Sequence, residues 1–230
     1  MMWLSPGETA ALSLSLSVAA RSVALSLPLA IPLAWALTRR RFVGHTLLDA
    51  FVHLPLVLPP VMVGYLLLLL FGSRGPIGGW LERSFGIELI FTRNGAALAT
   101  AVMSFPLMVR AMRISLENVD RGLEEAACTL GAGAIDRFAT ITLPLMLPGV
   151  VAGAITAFSA ALGEFGAVIT FVSNIPGETR TLPLALYTAL QTPGGDGAAA
   201  RLALISFALG LTGLLVSEWF ARRVRRMLGQ

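Results

Sequence analysis

Five stretches of this chain, residues 16–37, 47–71, 94–113, 144–165 and 201–221, are predominantly apolar. Each has the roughly 20 residues that a helix needs to cross the hydrocarbon core of a bilayer. Lipid offers the backbone no hydrogen-bond partner, so a spanning segment of this kind must satisfy its own amides as a helix. The expected fold is therefore all-α: a polytopic membrane protein of five transmembrane helices, with residues 1–230 forming a single membrane-spanning domain. Composition agrees, since 56% of the residues are hydrophobic and 13% charged, about half the charge of a soluble domain. An odd number of spans places the termini on opposite sides.

Charge then orients the bundle. All 17 basic residues are arginine, and they carry the formal charge to +4. A basic chain can bind nucleic acid, but here the arginines lie at the ends of apolar runs rather than in a patch with interleaved aromatics, which excludes that partner and points to topology. Arg39, Arg40 and Arg41 follow the first span, Arg110, Arg113, Arg121 and Arg137 flank the third loop, and Arg222, Arg223, Arg225 and Arg226 follow the last span. The opposite side holds only Arg74, Arg83, Arg93, Arg180 and Arg201. Positive residues remain inside, so the N-terminus is expected outside and the C-terminus, with the loop at 118–142, in the cytoplasm. Arg21 falls within or near the first span, where it either snorkels to the outer boundary or draws anions to the outer mouth. Trp3, Trp80 and Trp219 sit near expected interfaces as an aromatic belt. The opening segment lacks a basic residue ahead of its apolar stretch and is expected to stay in the mature chain.

Proline interrupts four spans, at Pro28 and Pro32, at Pro55, Pro59 and Pro60, at Pro106, and at Pro144 and Pro148. It frees carbonyls that only neighbouring groups or a cavity can satisfy, as in the broken helices of transporters. Residues 181–190, "TLPLALYTAL", are too short to cross and read as a re-entrant or interfacial helix.

Several chemistries are excluded. A phosphate-binding G-x-x-x-x-G-K-[ST] loop needs a lysine, so ATP is not bound by that route. No cofactor is expected in this chain. His45 and His53 have no third ligand beside them, and Cys128 stands alone, so no metal or disulfide is expected. Glu164, in "ALGEFGAVITF", lies near the outer boundary of the fourth span. It is either a structural carboxylate near an external gate or a proton carrier, though no second acid forms a relay with it. Ser104, Ser159 and Thr170 are the polar candidates for lining a pathway.

The one long polar excursion reads "DRGLEEAACTLGAGAIDRFATITLP" from Asp120. Asp120 can cap a helix, with Glu124 and Glu125 in its first turns, where the helix dipole favours acids. Leu123, Ala126, Ala127 and Leu130 succeed it at i, i+3, i+4 and i+7, one apolar stripe. Gly131 supplies a left-handed stop, and a second series begins with Ala134, Ile135, Phe138 and Ile141. Two short helices joined at glycine either pack on the ends of their own spans or present a docking knob to a soluble partner.

Glu125, Ala126, Ala127, Gly131, Ile141, Leu143 and Pro144 reproduce, at its spacing, the E-A-A…G…I-x-L-P pattern. This resembles the cytoplasmic coupling motif of permease subunits in bacterial ABC importers. "LPLVLPPVMVGYLLL", "MSFPLMVRAMR", "ALGEFGAVITFVSNIPGETRTLPLALYT" and "QTPGG" are similar to the permeases of molybdate importers, over residues 12–221. The resemblance implies a type I importer fold without an additional N-terminal span. It also implies a permease that is not itself an enzyme, in the bacterial inner membrane with its N-terminus periplasmic. Its implied partners are a second copy of the chain, two cytoplasmic ATPase subunits that bind ATP and magnesium, and a periplasmic molybdate-binding protein. Glu125, Ala126, Ala127, Leu130 and Gly131 would couple to the ATPase. Sulfate or thiosulfate importers share the motif and are the alternative for substrate, with tungstate a second cargo. A stand-alone ion-coupled carrier would need paired ionisable groups within the spans, and a membrane enzyme a catalytic cluster; the sequence offers neither.

Overall fold

The structure is a computed structural model describing residues 4–227, with Trp3 and the side chains of Arg223, Arg225 and Arg226 outside the described part. The first helix, α1 (Pro6–Arg39), opens with a reciprocal cap. Ser5 N donates to Glu8 Oε2 at 2.6 Å and Glu8 N to Ser5 Oγ at 3.3 Å, while Pro6 occupies a position that needs no amide donor. Its 34 residues extend about 51 Å at 1.5 Å each. Arg21 lies far enough along α1 to donate to Asn94 Oδ1 at 2.9 Å. That contact puts it level with the Arg93 end of α5 (Arg93–Glu117), at the opposite end of the helix from the loop at 118–142. From Arg21 to Arg39 the helix covers about 27 Å, close to one hydrocarbon thickness.

The expected second span is not one helix. It forms α2 (His45–Val57) and α3 (Pro60–Phe71), bent by 117° at the break. The cause is the Pro59–Pro60 pair: a residue before proline is forced out of helical geometry, and Leu58 and Pro59 are both extended, with ψ of 143° and 134°. Among the described residues four helices are long and apolar enough to cross a membrane, and five spans result if the bent pair counts as one. Packing supports that count. Val52 of α2 joins the core cluster at the arginine-rich end of α5, with Met108, Met112, Leu116, Ala30 and Leu37. Val63 and Leu67 of α3 join the cluster at the other end, with Ala96, Ala99, Leu14 and Val18.

After α4 (Gly78–Phe85), α5 forms the central post, capped by Thr92 Oγ1, which accepts from Gly95 N at 3.1 Å. The loop at 118–142 holds α6 (Arg121–Thr129) and α7 (Ala134–Arg137). A π turn, Phe138–Thr142, then runs without interruption into α8 (Leu143–Leu162). The second short helix expected after the glycine is thus the first turn of the fourth spanning helix, which begins at Ala134 rather than near 144. That helix is itself broken at Gly163–Phe165 before α9 (Gly166–Val172). The short segment at 181–190 is α10 (Leu182–Leu190), and α11 (Asp196–Met227) is the last helix.

The two breaks lie against each other. A Cβ on Gly166 would stand 2.7 Å from Pro60 Cβ, and one on Gly64 would stand 2.6 Å from the Ala167 carbonyl oxygen. Only glycine permits α3 and α9 to approach so closely. Near the N-terminal half of α1 Arg201 donates through Nη2 to buried Glu8 at 2.9 Å, and Leu182 N donates to Ser15 Oγ at 2.7 Å, fastening α11 and α10 to α1.

Candidate functional site

The loop folds locally as its residues dictate. Asp120 Oδ1 accepts from Gly122 N at 2.8 Å and starts α6. At the other end Gly131 has φ of +87°, Gly131 N donates to the Cys128 carbonyl at 3.0 Å and Ala132 N to the Ala127 carbonyl at 3.0 Å. These two bonds make a Schellman stop around a left-handed glycine.

The apolar stripe faces away from the protein. No residue of α6 is buried. Leu123 is half exposed and Leu130 is 88% exposed, with Glu125, Ala126 and Gly131 exposed beside it and Ala127 half-buried. The alternative in which the stripe packs on the ends of its own spans therefore fails in this structure. An exposed leucine flanked by alanines, with a carboxylate at one edge, is a face that a complementary groove can cover.

What ties this helix to the membrane is Glu124, which local sequence places only by the helix dipole. Its Oε1 accepts from Thr142 Oγ1 at 2.8 Å and lies 3.2 Å from Arg39 Nε, while Arg39 Nη2 donates to the Val119 carbonyl at 2.9 Å. Arg39 ends α1, Thr142 ends the π turn, and no spacing rule links either to Glu124. Nearby, Phe138 meets Trp35 edge-on with ring centroids 5.7 Å apart, and the Arg40 guanidinium lies 5.1 Å over the Trp35 ring. The four residues Arg39, Arg40, Arg121 and Arg137 border a cavity of about 360 Å³ that Glu124 and Glu125 also line.

The expected pathway residues are not brought together. Ser104 is 1% exposed and sits in the seam between α5 and α1, 3.5 Å from Ser22 Oγ, so it lines helix packing rather than a channel here. Its Oγ donates to the Thr100 carbonyl at 2.8 Å. Ser159 and Thr170 do likewise, to the Ile155 carbonyl at 2.9 Å and the Gly166 carbonyl at 2.8 Å, and face α11 and α3 respectively. In all three the hydroxyl is spent on the carbonyl one turn back. Glu164 differs. It sits at the α8–α9 break, half-buried, and its Oε1 accepts from Ala167 N at 2.9 Å, holding the start of α9. His45 Nε2 pairs with the Leu37 carbonyl at 2.8 Å, tying the start of α2 to the end of α1, while His53 Nδ1 lies 3.2 Å from Asp49 Oδ1 one turn back within α2.

Comparison with known proteins places this geometry. The family model described as "Binding-protein-dependent transport system inner membrane component" matches residues 26–226. The molybdenum transport system permease protein ModB of Escherichia coli K12 is 58% identical over 229 residues, covering 100% of each chain. Its Haemophilus influenzae counterpart is 56% identical over 223 residues, 97% of each. The sulfate transport system permease protein CysT of Escherichia coli K12 is 39% identical over 197 residues, 86% of this chain and 71% of that one. Among solved structures, a bacterial alginate ABC transporter in complex with a periplasmic protein bound to alginate pentasaccharide aligns with a TM-score of 0.73. The alignment is 18% identical and covers 98% of this chain and 81% of that one, a likeness of fold alone.

Proposed function

This chain belongs to the family of inner-membrane components of binding-protein-dependent transport systems, and from that premise we propose that it is the permease subunit of a molybdate importer. The observation that carries the substrate is identity over the whole chain: 58% to a molybdenum permease against 39% to a sulfate permease over a shorter stretch. Tungstate, an anion of the same charge and tetrahedral shape, is carried as a second cargo.

Two copies of the chain enclose the pathway, with the N-terminus in the periplasm and the arginine-rich end in the cytoplasm. A periplasmic binding protein selects the anion and docks on the outer face. Two cytoplasmic ATPase subunits supply the energy, since the permease itself has no lysine for a phosphate-binding loop. Leu130, Ala126 and Ala127 enter a groove on the ATPase, Glu125 makes a polar contact at its edge and Gly131 turns the chain away. The exposure of that stripe supports the assignment. ATP closes the ATPase pair, draws the two coupling helices together and shifts the spans to an outward-open packing; hydrolysis and product release restore the inward-open one. Each nucleotide state thus biases a two-state equilibrium. The few charges within the spans favour weak, transient binding of the anion during passage.

The test is reconstitution in lipid with the ATPase and the binding protein. Submicromolar molybdate should stimulate ATP hydrolysis and enter vesicles, while sulfate at that concentration should not. Stimulation by sulfate alone would move the chain to the sulfate class, and failure of the ATPase to co-purify would remove the importer reading altogether.

A further inference from the structure

On the importer reading, we propose that Arg39, Glu124 and Thr142 form the mechanical link that carries displacement of the coupling helix into the spanning helices α1 and α8. The helix α6 itself buries no residue, and the core residue nearest to it in sequence, Val119, lies before its first turn. Its attachment is polar and concentrated on one atom. Glu124 Oε1 accepts from Thr142 at 2.8 Å and stands 3.2 Å from the Arg39 guanidinium. Arg39 is the last residue of α1 and Thr142 the last of the π turn that feeds α8. One carboxylate oxygen therefore joins three elements.

Burial makes that junction stiff. The side chain of Arg39 is only 7% exposed, Thr142 only 1% and Glu124 between them 20%. The hydroxyl of Thr142 makes a charge-assisted bond to Glu124, and this bond and the ion pair with Arg39 beside it are less exposed to water than a surface pair, which strengthens both. The same arginine also holds the stretch of chain just before α6 through the Val119 carbonyl, so both the approach to the coupling helix and the helix itself pivot on it. On either side there is space rather than packing. A cavity of about 360 Å³ lies between Trp35, Arg40, Arg137 and Glu125, and another of about 440 Å³ between Leu37, Glu117 and Asp120; Arg39 lines both. Close-packed interiors transmit strain and open spaces do not, so beyond the chain connections at Val119 and Gly133, movement of α6 reaches α1 and α8 through this bridge. The π turn belongs to the device. Its wider turn holds one more residue than an α turn, which rotates the facing of the succeeding residues by about 100°. That extra residue sets the side of the helix from which Thr142 meets Glu124. Arg39 and Thr142 are positioning residues: they touch neither the anion nor ATP.

The experiment compares the reconstituted wild-type complex with Thr142→Val, Glu124→Gln, Arg39→Met and Arg39→Lys. Thr142→Val removes the hydroxyl at almost constant shape and guards against loss of fold. The readouts are co-purification of the ATPase, ATP hydrolysis with and without loaded binding protein, and molybdate ions imported per ATP consumed. All four variants should retain the ATPase and hydrolyse ATP. Import per ATP should fall at least tenfold in Arg39→Met and Glu124→Gln and several-fold in Thr142→Val, and stimulation by the binding protein should fade in parallel. Arg39→Lys, which keeps the charge but loses the fork to Val119, should be intermediate. Unchanged import per ATP across the set would overturn the link. So would loss of ATPase binding in Thr142→Val and Glu124→Gln, since the residues would then serve docking or folding alone. A wild-type chain that binds no ATPase would instead refute the importer reading on which the link rests.

Discussion

Replacing Gly131 separates a backbone requirement from a contact requirement, and the structure gives the size of each. Gly131 has φ of +87°, and a Cβ built there would meet nothing within 4 Å. Within the chain, the cost of a side chain is therefore conformational: about 1–2 kcal/mol for an L-residue held in left-handed geometry. Helix α6 has nine residues and none is buried. An isolated helix shorter than about 12–15 residues is marginal in water, so the Schellman stop is a large part of what holds α6 formed. A penalty of about 1–2 kcal/mol lowers the population of the docking-competent helix roughly 5- to 30-fold. Gly131→Ala should weaken binding of the ATPase subunit by that factor, and Gly131→Val by more. Gly131→Asn should cost only a few-fold, because asparagine adopts the left-handed region more readily. The assay is titration of the ATPase onto the permease in lipid nanodiscs, with retention of fold checked by the melting of the permease alone. If asparagine proves worse than alanine, the loss tracks side-chain volume; the partner would then approach the glycine directly and the backbone reasoning would be refuted.

Leu130→Asp should leave the permease as stable as wild type, because the side chain is 88% exposed. It should weaken ATPase binding roughly tenfold or more, the loss of a leucine whose burial contributes about 1.5–3 kcal/mol; equal binding by titration would take Leu130 out of the docking face. Cys128 is the single cysteine and is exposed. A membrane-impermeant maleimide should therefore label inside-out vesicles and spare right-side-out ones, and added ATPase should protect it; the opposite sidedness would invert the topology. Gly64→Ala places a methyl 2.6 Å from the Ala167 carbonyl oxygen, and overpacking of this kind costs about 1–3 kcal/mol. The solubilised chain should melt several degrees lower, and an unchanged melting temperature would contradict the tight α3–α9 approach.

The spans were legible in the sequence because a lipid-crossing helix must be apolar over its whole length, a signal carried by every residue. The stop at Gly131 and the cap at Asp120 were legible for a related reason: turn chemistry is local, and each residue type acts within three or four positions of itself. The 117° bend was only half legible. Pro59 and Pro60 mark a break, but the angle depends on how α3 settles on α9, and Gly64 and Gly166 that permit it lie far apart in the chain. The union of Arg39 with Glu124 had no local signature at all, nor did the π turn that brings Thr142 to them. Hydroxyls in spans carry no local sign of where they point. The carbonyl one turn back is available to each of them, and Ser104, Ser159 and Thr170 all take it, so their sequence context is that of local helix bonding.

The core is divided in a way that bears on how such a chain can change shape. Buried residues form two principal clusters, one at each end of α5, and the long helices α1 and α5 contribute to both. The other participants change cluster where they are broken. Val52 of α2 belongs to the arginine-rich end and Val63 of α3 to the opposite end; Met146 and Val150 of α8 belong to the first, Val168 and Phe171 of α9 to the second. Both transitions fall at unwound backbone, Leu58–Pro59 and Gly163–Phe165, and the two breaks touch through Pro60 and Gly166. Displacing one cluster relative to the other can be absorbed in α2–α3 and α8–α9 by rotations at these non-helical residues, while α1 and α5, continuous through both clusters, must tilt or flex with it. Within the proposed importer, force enters at the arginine-rich end through Glu124, beside the first cluster. Glu164 holds the start of α9 at the second break, and its place there reflects the same division: a carboxylate bonded to Ala167 N fixes where the outer half begins.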